Sequence, residues 1–211
     1  MRYMLSNILK NKSELTDAIE NNETITYLNL YSLYVKKDLT VNGPYFVDGW
    51  PLRYVLKWFY KINVDLMSFY VNKDFWLDVI SKNKIFVIGY EEDSLDTLSE
   101  ALEKDNIYVD KVMHGFHTDL EIINAIDKSE ADVIFLGLGQ PRQEIILGNL
   151  KTKMPVICCG AFFKQLSKLE YESTGIVRSL GITALSRWWR QPRMLIKRTL
   201  LPLFSIKNSL L

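Results

Sequence analysis

One octet carries the densest chemistry in the chain: Gly137-Leu138-Gly139-Gln140-Pro141-Arg142-Gln143-Glu144. It continues an apolar run, Asp132 to Leu138, that reads as a buried strand. Two glycines at a strand end let backbone approach a ligand closely. Pro141 is tolerated in the first turn of a helix, and helix N-terminal amides suit a phosphate. Gln143 and Glu144 in that turn can hydrogen-bond a sugar or base. A plain tight turn uses the same residues, and short glycine motifs are weak alone. Gly89 and Gly160 end two further apolar runs, KIFVIGY and PVICCG. Three glycine-ended strands on one sheet edge point to a nucleotide-type pocket. A Walker lysine loop and a GxGxxG turn are both missing, which removes most support for ATPase and dinucleotide readings.

Asp48-Gly49 follows a short apolar run, Tyr45 to Val47. A carboxylate at a strand end can act as a general base or orient a hydroxyl. Asp-Gly is also a common turn. Asn29 sits inside a strand-like run, where a polar side chain either faces a pocket or satisfies a neighbouring loop. His114 and His117 are three apart, but no further ligands with zinc spacing lie near, so no metal is expected. Cys158 and Cys159 lie in an apolar run and read as buried thiols of a reducing compartment rather than nucleophiles.

These residues need a scaffold, and the pattern supplies one. Thr24 to Tyr31, Lys84 to Tyr90, Ile107 to Met113, Asp132 to Leu138 and Pro155 to Gly160 read as strands. Between them lie amphipathic segments: Asp93 to Asp105 with Asp93 as cap, a helix opened by Thr118 with Glu121 as a capping box, and Glu144 to Leu150. Strands alternating with helices predict an α/β fold, a Rossmann-like, mostly parallel sheet with helices on both faces. Ligands then bind beyond the carboxyl ends of the strands.

The chain has 211 residues, 48% of them hydrophobic, enough for a sizeable core. No apolar stretch reaches the roughly 18 residues of a membrane span, and the N-terminus is too polar for a signal peptide. The expected location is cytoplasmic. The net charge of +1 hides an asymmetry. Ser173 to Leu211 holds seven basic residues and no acidic one, whereas residues 1–172 hold 19 basic and 25 acidic. Two parts are expected: an α/β body over 1–172 and a basic amphipathic helical appendage over 173–211. Such a tail meets an anionic partner: a membrane surface, a phosphate-bearing substrate or nucleic acid. Trp188 and Trp189 among interleaved arginines favour the membrane, with tryptophan at headgroup level and arginine on lipid phosphate; a C-terminal helix packed on the core with a solvated basic face uses the same residues. No nucleic-acid recognition motif is present and the body is acidic, so nucleic acid is not an expected partner.

The same residues resemble the WecG/TagA/CpsF family of bacterial glycosyltransferases. Gly137-Leu138-Gly139-x-Pro141-Arg142-Gln143-Glu144 resembles the family's GLGxPxQE segment. Asp48-Gly49, Asp65-Leu66 and Asn29 match its DG, DL and early asparagine. His114-Gly115-Phe116, Gly160-Ala161 with Phe163, and the closing Gly181, Arg187, Pro192, Arg193 and Lys197-Arg198 follow in order. The resemblance runs from about residue 24 to 200. It implies inverting, metal-independent and cofactor-free transfer of an N-acetylhexosamine, hexose or uronate. The donor is a UDP-sugar. The acceptor is a polyprenyl-diphosphate-linked sugar in wall teichoic acid, capsule or other exopolysaccharide synthesis. By the resemblance, Asp48 is the general base and Asn29 lines its pocket. Gln143 and the Gly137–Gly139 turn hold the donor. Arg187, Arg190, Arg193 and Arg198 receive the acceptor diphosphate. The implied setting is peripheral, on the inner face of the cell membrane, alone, as a homo-oligomer or within a polysaccharide-synthesis complex.

The sequence also departs from the family pattern, and by the resemblance several of the departures fall on pocket positions. Tyr27 stands where the family has threonine, Tyr60 (with Lys61 adjacent) for arginine, Lys164 for aspartate and Thr183 for glutamate. They bear on the donor sugar. They also admit a second reading, a catalytically silent member acting as a UDP-sugar-binding or membrane-docked partner subunit.

Overall fold

The computed structural model describes residues 2–35, 43–69, 71–92, 95–104 and 106–167. In chain order the elements are α1 (Arg2–Ser6), α2 (Lys12–Glu20), β1 (Thr26–Leu28), α3 (Leu30–Val35), β2 (Tyr45–Val47), α4 (Trp50–Phe59) and α5 (Lys73–Ser81). There follow β3 (Ile85–Gly89), α6 (Leu95–Lys104), β4 (Val109–Met113), α7 (Asp119–Asp127), β5 (Val133–Gly137), α8 (Arg142–Leu147), β6 (Val156–Cys158) and α9 (Phe162–Ser167).

All strand pairings among the described residues are parallel. Four strands run in the order β4-β3-β5-β6, and β1 pairs with β2. A parallel bridge from Ile25 to Ile157 joins the two groups. It is made by Ile25 N–H to Val156 O at 2.8 Å and Cys158 N–H to Ile25 O at 2.9 Å. The spatial order is therefore β4-β3-β5-β6-β1-β2.

Alternation along the strands explains why both faces are covered. Phe86, Ile88, Ile134, Leu136, Val156 and Cys158 enter one buried cluster with Leu52, Val55 and Leu56 of α4, Ile122 and Ile126 of α7, and Ile146 of α8. Ile85, Val87, Val133, Phe135 and Ile157 enter the other with Leu15 of α2, Trp76 and Ile80 of α5, Leu98 and Leu102 of α6, and Phe163 of α9. Period-two strands that are apolar on both faces must be sandwiched between helices. The result is the expected α/β architecture with a parallel core and flanking helices.

Local chemistry sets the boundaries. Thr118 accepts from Glu121 N–H while Glu121 accepts from Thr118 N–H, so the expected capping box opens α7. The run Thr24 to Tyr31 departs from its reading as one strand. β1 ends at Leu28, because Asn29 Oδ1 accepts from Ser32 N–H at 2.9 Å and Ser32 Oγ accepts from Asn29 N–H at 3.0 Å. That reciprocal pair starts α3, and a cap overrides strand propensity. The expected helix over Glu144 to Leu150 is instead α8, which stops at Leu147 with Gly148 as its C-cap. Pro141 immediately precedes it. Asp93, expected as a cap, lies outside the described residues, as does the whole of 173–211.

Candidate active site

The direction of chain progression reverses between β3 and β5: β3 leads outward to β4, and β5 leads the other way to β6. The crevice beyond such a reversal is where open parallel sheets bind ligands. A cavity of about 310 Å³ opens there, lined by residues at or just beyond the ends of β1, β3, β5 and β6. Of the candidate residues, Asn29, Gly137, Gly139, Gln140 and Gly160 line it, and Gly89, Pro141, Gln143 and Glu144 do not. Tyr27, Tyr31, Tyr90, Leu138 and Ala161 complete the lining.

Close approach explains the glycine at 137. A Cβ there would lie 2.6 Å from Gly160 O and 3.1 Å from the Tyr90 hydroxyl. Gly89 is its register partner on β3. Gly139 differs: its φ is +78°, and a Cβ would meet nothing within 4 Å. Its conformation, not crowding, selects glycine. Gly137→Ala is expected to force the β5 and β6 ends apart, at about 1–3 kcal/mol, and to weaken any ligand held in the cavity. Denaturant unfolding and ligand titration of that variant check both.

Polar side chains tie the octet to β1. Glu144 Oε1 accepts from Thr26 Oγ1 at 3.4 Å, Gln140 Nε2 at 3.1 Å and Gln143 Nε2 at 3.0 Å. The Ser32 hydroxyl lies 3.0 Å from both Asn29 Oδ1 and Gln140 Oε1. Thr26, Ser32, Gln143 and Glu144 are all buried. Such a network positions what it touches, because each unmet bond in a buried site is costly. Gln143 and Glu144 therefore sit behind the cavity wall rather than on it. The amides of Gln143 and Glu144 are already bonded to Gly139 O and Pro141 O, so this short helix end offers neither to an anion.

Asp48 stands one strand over. Leu28 and Val47 are register partners, and Asp48 N–H donates to Leu28 O at 2.7 Å. Asp48 and Asn29 are thus side by side at adjoining strand ends. Burial raises the Tyr27 phenol far above its usual range, with Asp48, Cys158 and Glu144 adding to the rise against a hydrogen bond from Gln143. Tyr27 stays a neutral hydroxyl at physiological pH, facing the cavity from where the family pattern has threonine.

Sequence reasoning missed Tyr90. Its φ is +76°, rare for a bulky residue. Its hydroxyl donates to Gly160 O at 3.3 Å and accepts from Phe163 N–H at 3.1 Å. It locks β3 to the turn after β6. The only signal was its place directly after a strand-end glycine.

Arg142 does not line the cavity; its guanidinium donates to Asp119 Oδ1 at 2.7 Å and to the carbonyls of Gly115 and His117. It thereby clamps the loop after β4 to the start of α8. His114 and His117 stack at 4.0 Å, and among the described residues no group of three or more His, Cys, Asp or Glu side chains is placed to hold a metal. Cys158 and Cys159 are buried, and burial pushes the Cys159 thiol up to about 12, which keeps it neutral and unreactive. Tyr60 is half-buried at the end of α4. Lys164 falls within α9. Thr183, Arg187, Trp188, Trp189, Arg190, Arg193 and Arg198 lie outside the described residues. Among the described residues, no helix is long and apolar enough to cross a membrane.

Residues 15–209 match the glycosyl transferase WecG/TagA/CpsF family. Over 181 residues the chain is 25% identical to a UDP-Gal:alpha-D-GlcNAc-diphosphoundecaprenol beta-1,4-galactosyltransferase of Shigella boydii. That alignment covers 77% of this chain and 76% of the relative.

Proposed function

The chain belongs to the WecG/TagA/CpsF glycosyltransferase family, and from that premise we propose that it moves a sugar from a UDP-sugar to a polyprenyl-diphosphate-linked acceptor, with inversion. The observation that carries this reading is the pairing of a strand-end cavity with a carboxylate at the neighbouring strand ends. Family membership supports UDP-sugar chemistry in polysaccharide synthesis.

The cavity is near the small end of the range for ligand sites, roughly 300–1,000 Å³. It suits one portion of the donor, with the transferred sugar reaching toward Asp48. The Gly137–Gly139 turn leaves room for the diphosphate backbone. Gln140 and the neutral Tyr27 hydroxyl hydrogen-bond donor atoms, while Glu144 and Gln143 fix Gln140 from behind. Asn29 orients the reacting hydroxyl. The Asp48 carboxylate takes the acceptor proton as that oxygen attacks the anomeric carbon opposite UDP. The new C–O bond forms, the bond to UDP breaks, and UDP leaves with its electron pair. Arg187, Arg190, Arg193 and Arg198 would receive the acceptor diphosphate, with Trp188 and Trp189 at the membrane surface. That assigns 1–172 to chemistry and 173–211 to docking.

The Shigella relative makes UDP-Gal the first donor to try, against UDP-GlcNAc and UDP-glucuronate. With a lipid-diphosphate-linked GlcNAc acceptor, one donor should give a β-linked disaccharide product and release UDP. No product from any of the three, with donor binding retained, would favour the silent-subunit reading. Tyr27 supports that second reading, since its phenol takes up space where the family pattern has the smaller threonine.

A further inference from the structure

Helix α4 buries Leu52, Val55 and Leu56. A helix with that inner face normally turns polar residues to water. Here the outer face carries Tyr54, Trp58 and Phe59, exposed at 54%, 66% and 68%. Lys57 and Lys61 are exposed beside them. Trp50, Tyr54 and Trp58 recur every four residues and so lie along one line. Trp50 and Tyr54 stack at 6.0 Å, and the Arg53 guanidinium sits 5.1 Å over the Trp50 ring. From Gly49 to Val64 there are three basic residues and no acidic one.

Exposed apolar patches of this kind mark interaction surfaces. Charge decides the occupant. A second copy laid face to face would set the same three cations against each other. Segment 173–211, with seven basic residues and no acidic one, has the same sign. An anionic bilayer is complementary: tryptophan and tyrosine settle at headgroup depth, and lysine reaches lipid phosphate with its stem on apolar surface. α4 also begins two residues after Asp48.

We propose that the outer face of α4 docks on an anionic bilayer, which brings a lipid-linked hydroxyl to Asp48. The second half of this inference rests on the acceptor being lipid-linked; the docking itself does not.

The test uses the full chain. Cys158 and Cys159 are buried, so in Trp58→Cys the introduced thiol takes an environment-sensitive fluorophore. Its emission should shift to the blue with phosphatidylglycerol-containing vesicles and not with pure phosphatidylcholine. Lys57→Gln with Lys61→Gln should weaken vesicle partitioning about 30-fold, the effect of two surface charges. Trp58→Ser with Phe59→Ser should weaken vesicle binding at least as much as the lysine pair does, down to whatever segment 173–211 supports alone, keep its sedimentation mass and keep turnover on a short-chain, water-soluble acceptor. An unshifted probe with anionic vesicles overturns the proposal. So does a fall in sedimentation mass, which assigns the face to a second copy, or a probe already shielded without lipid, which assigns it to the chain itself. Vesicle binding without transfer would sink the enzymatic reading alone; transfer to the soluble acceptor without vesicle binding would sink the docking alone.

Discussion

Asp48→Asn should lower turnover by about 100-fold or more while donor affinity stays within about two-fold, the usual effect of removing a general base. The substitution keeps shape and removes only the proton acceptor. The backbone N–H of residue 48 bonds Leu28 O at 2.7 Å, a contact that asparagine retains. Folding should therefore survive, and a lost rate is not a lost structure. Single-turnover kinetics with saturating donor separates the chemical step from binding. An unchanged rate would remove Asp48 from the mechanism and leave the reaction without its base.

Glu144→Ala should unfold the protein more readily, by about 3 kcal/mol or more, because buried donors lose their acceptor. For a chain this size that is a fall in melting temperature of about 10 °C. Three side chains, Thr26, Gln140 and Gln143, converge on one carboxyl oxygen of Glu144. Gln140 is also part of the cavity wall, so donor affinity should fall with stability. Glu144→Gln retains an acceptor oxygen and should recover most of both. Equal loss in the two variants would contradict the positioning role and point to a direct role for the carboxylate charge.

The contrast between these two positions shows what a sequence can disclose. The strand ends that carry Asp48 and the glycines at 89, 137, 139 and 160 are legible because apolar runs mark them, and parallel strand ends share one edge. The capping box at Thr118 was legible because its partners are three residues apart. The burial of Glu144 is not legible locally, since one of its partners is Thr26, 118 positions away. Asn29 was read inside a strand because its neighbours are β-branched and aromatic; its side chain instead caps the next helix. Helix α4 drew no notice because aromatic residues on both sides blur its period, and only the packed structure separates the buried Leu52, Val55 and Leu56 from the exposed Trp58 and Phe59. Tyr90 became visible only through its backbone conformation and its bonds across to Gly160 and Phe163.

The central claim is that the crevice beyond β3 and β5 is a UDP-sugar site. Calorimetric titration of the full chain with UDP, UDP-Gal, UDP-GlcNAc and UDP-glucuronate tests it most directly. A ligand held only by the native state must also raise the melting temperature. One saturable site for a UDP-sugar is expected, with competition by UDP and with weaker binding of both in Gly137→Ala under conditions where that variant is folded. Absence of binding by every uridine nucleotide to the folded wild-type chain, or equal binding by Gly137→Ala, would contradict it.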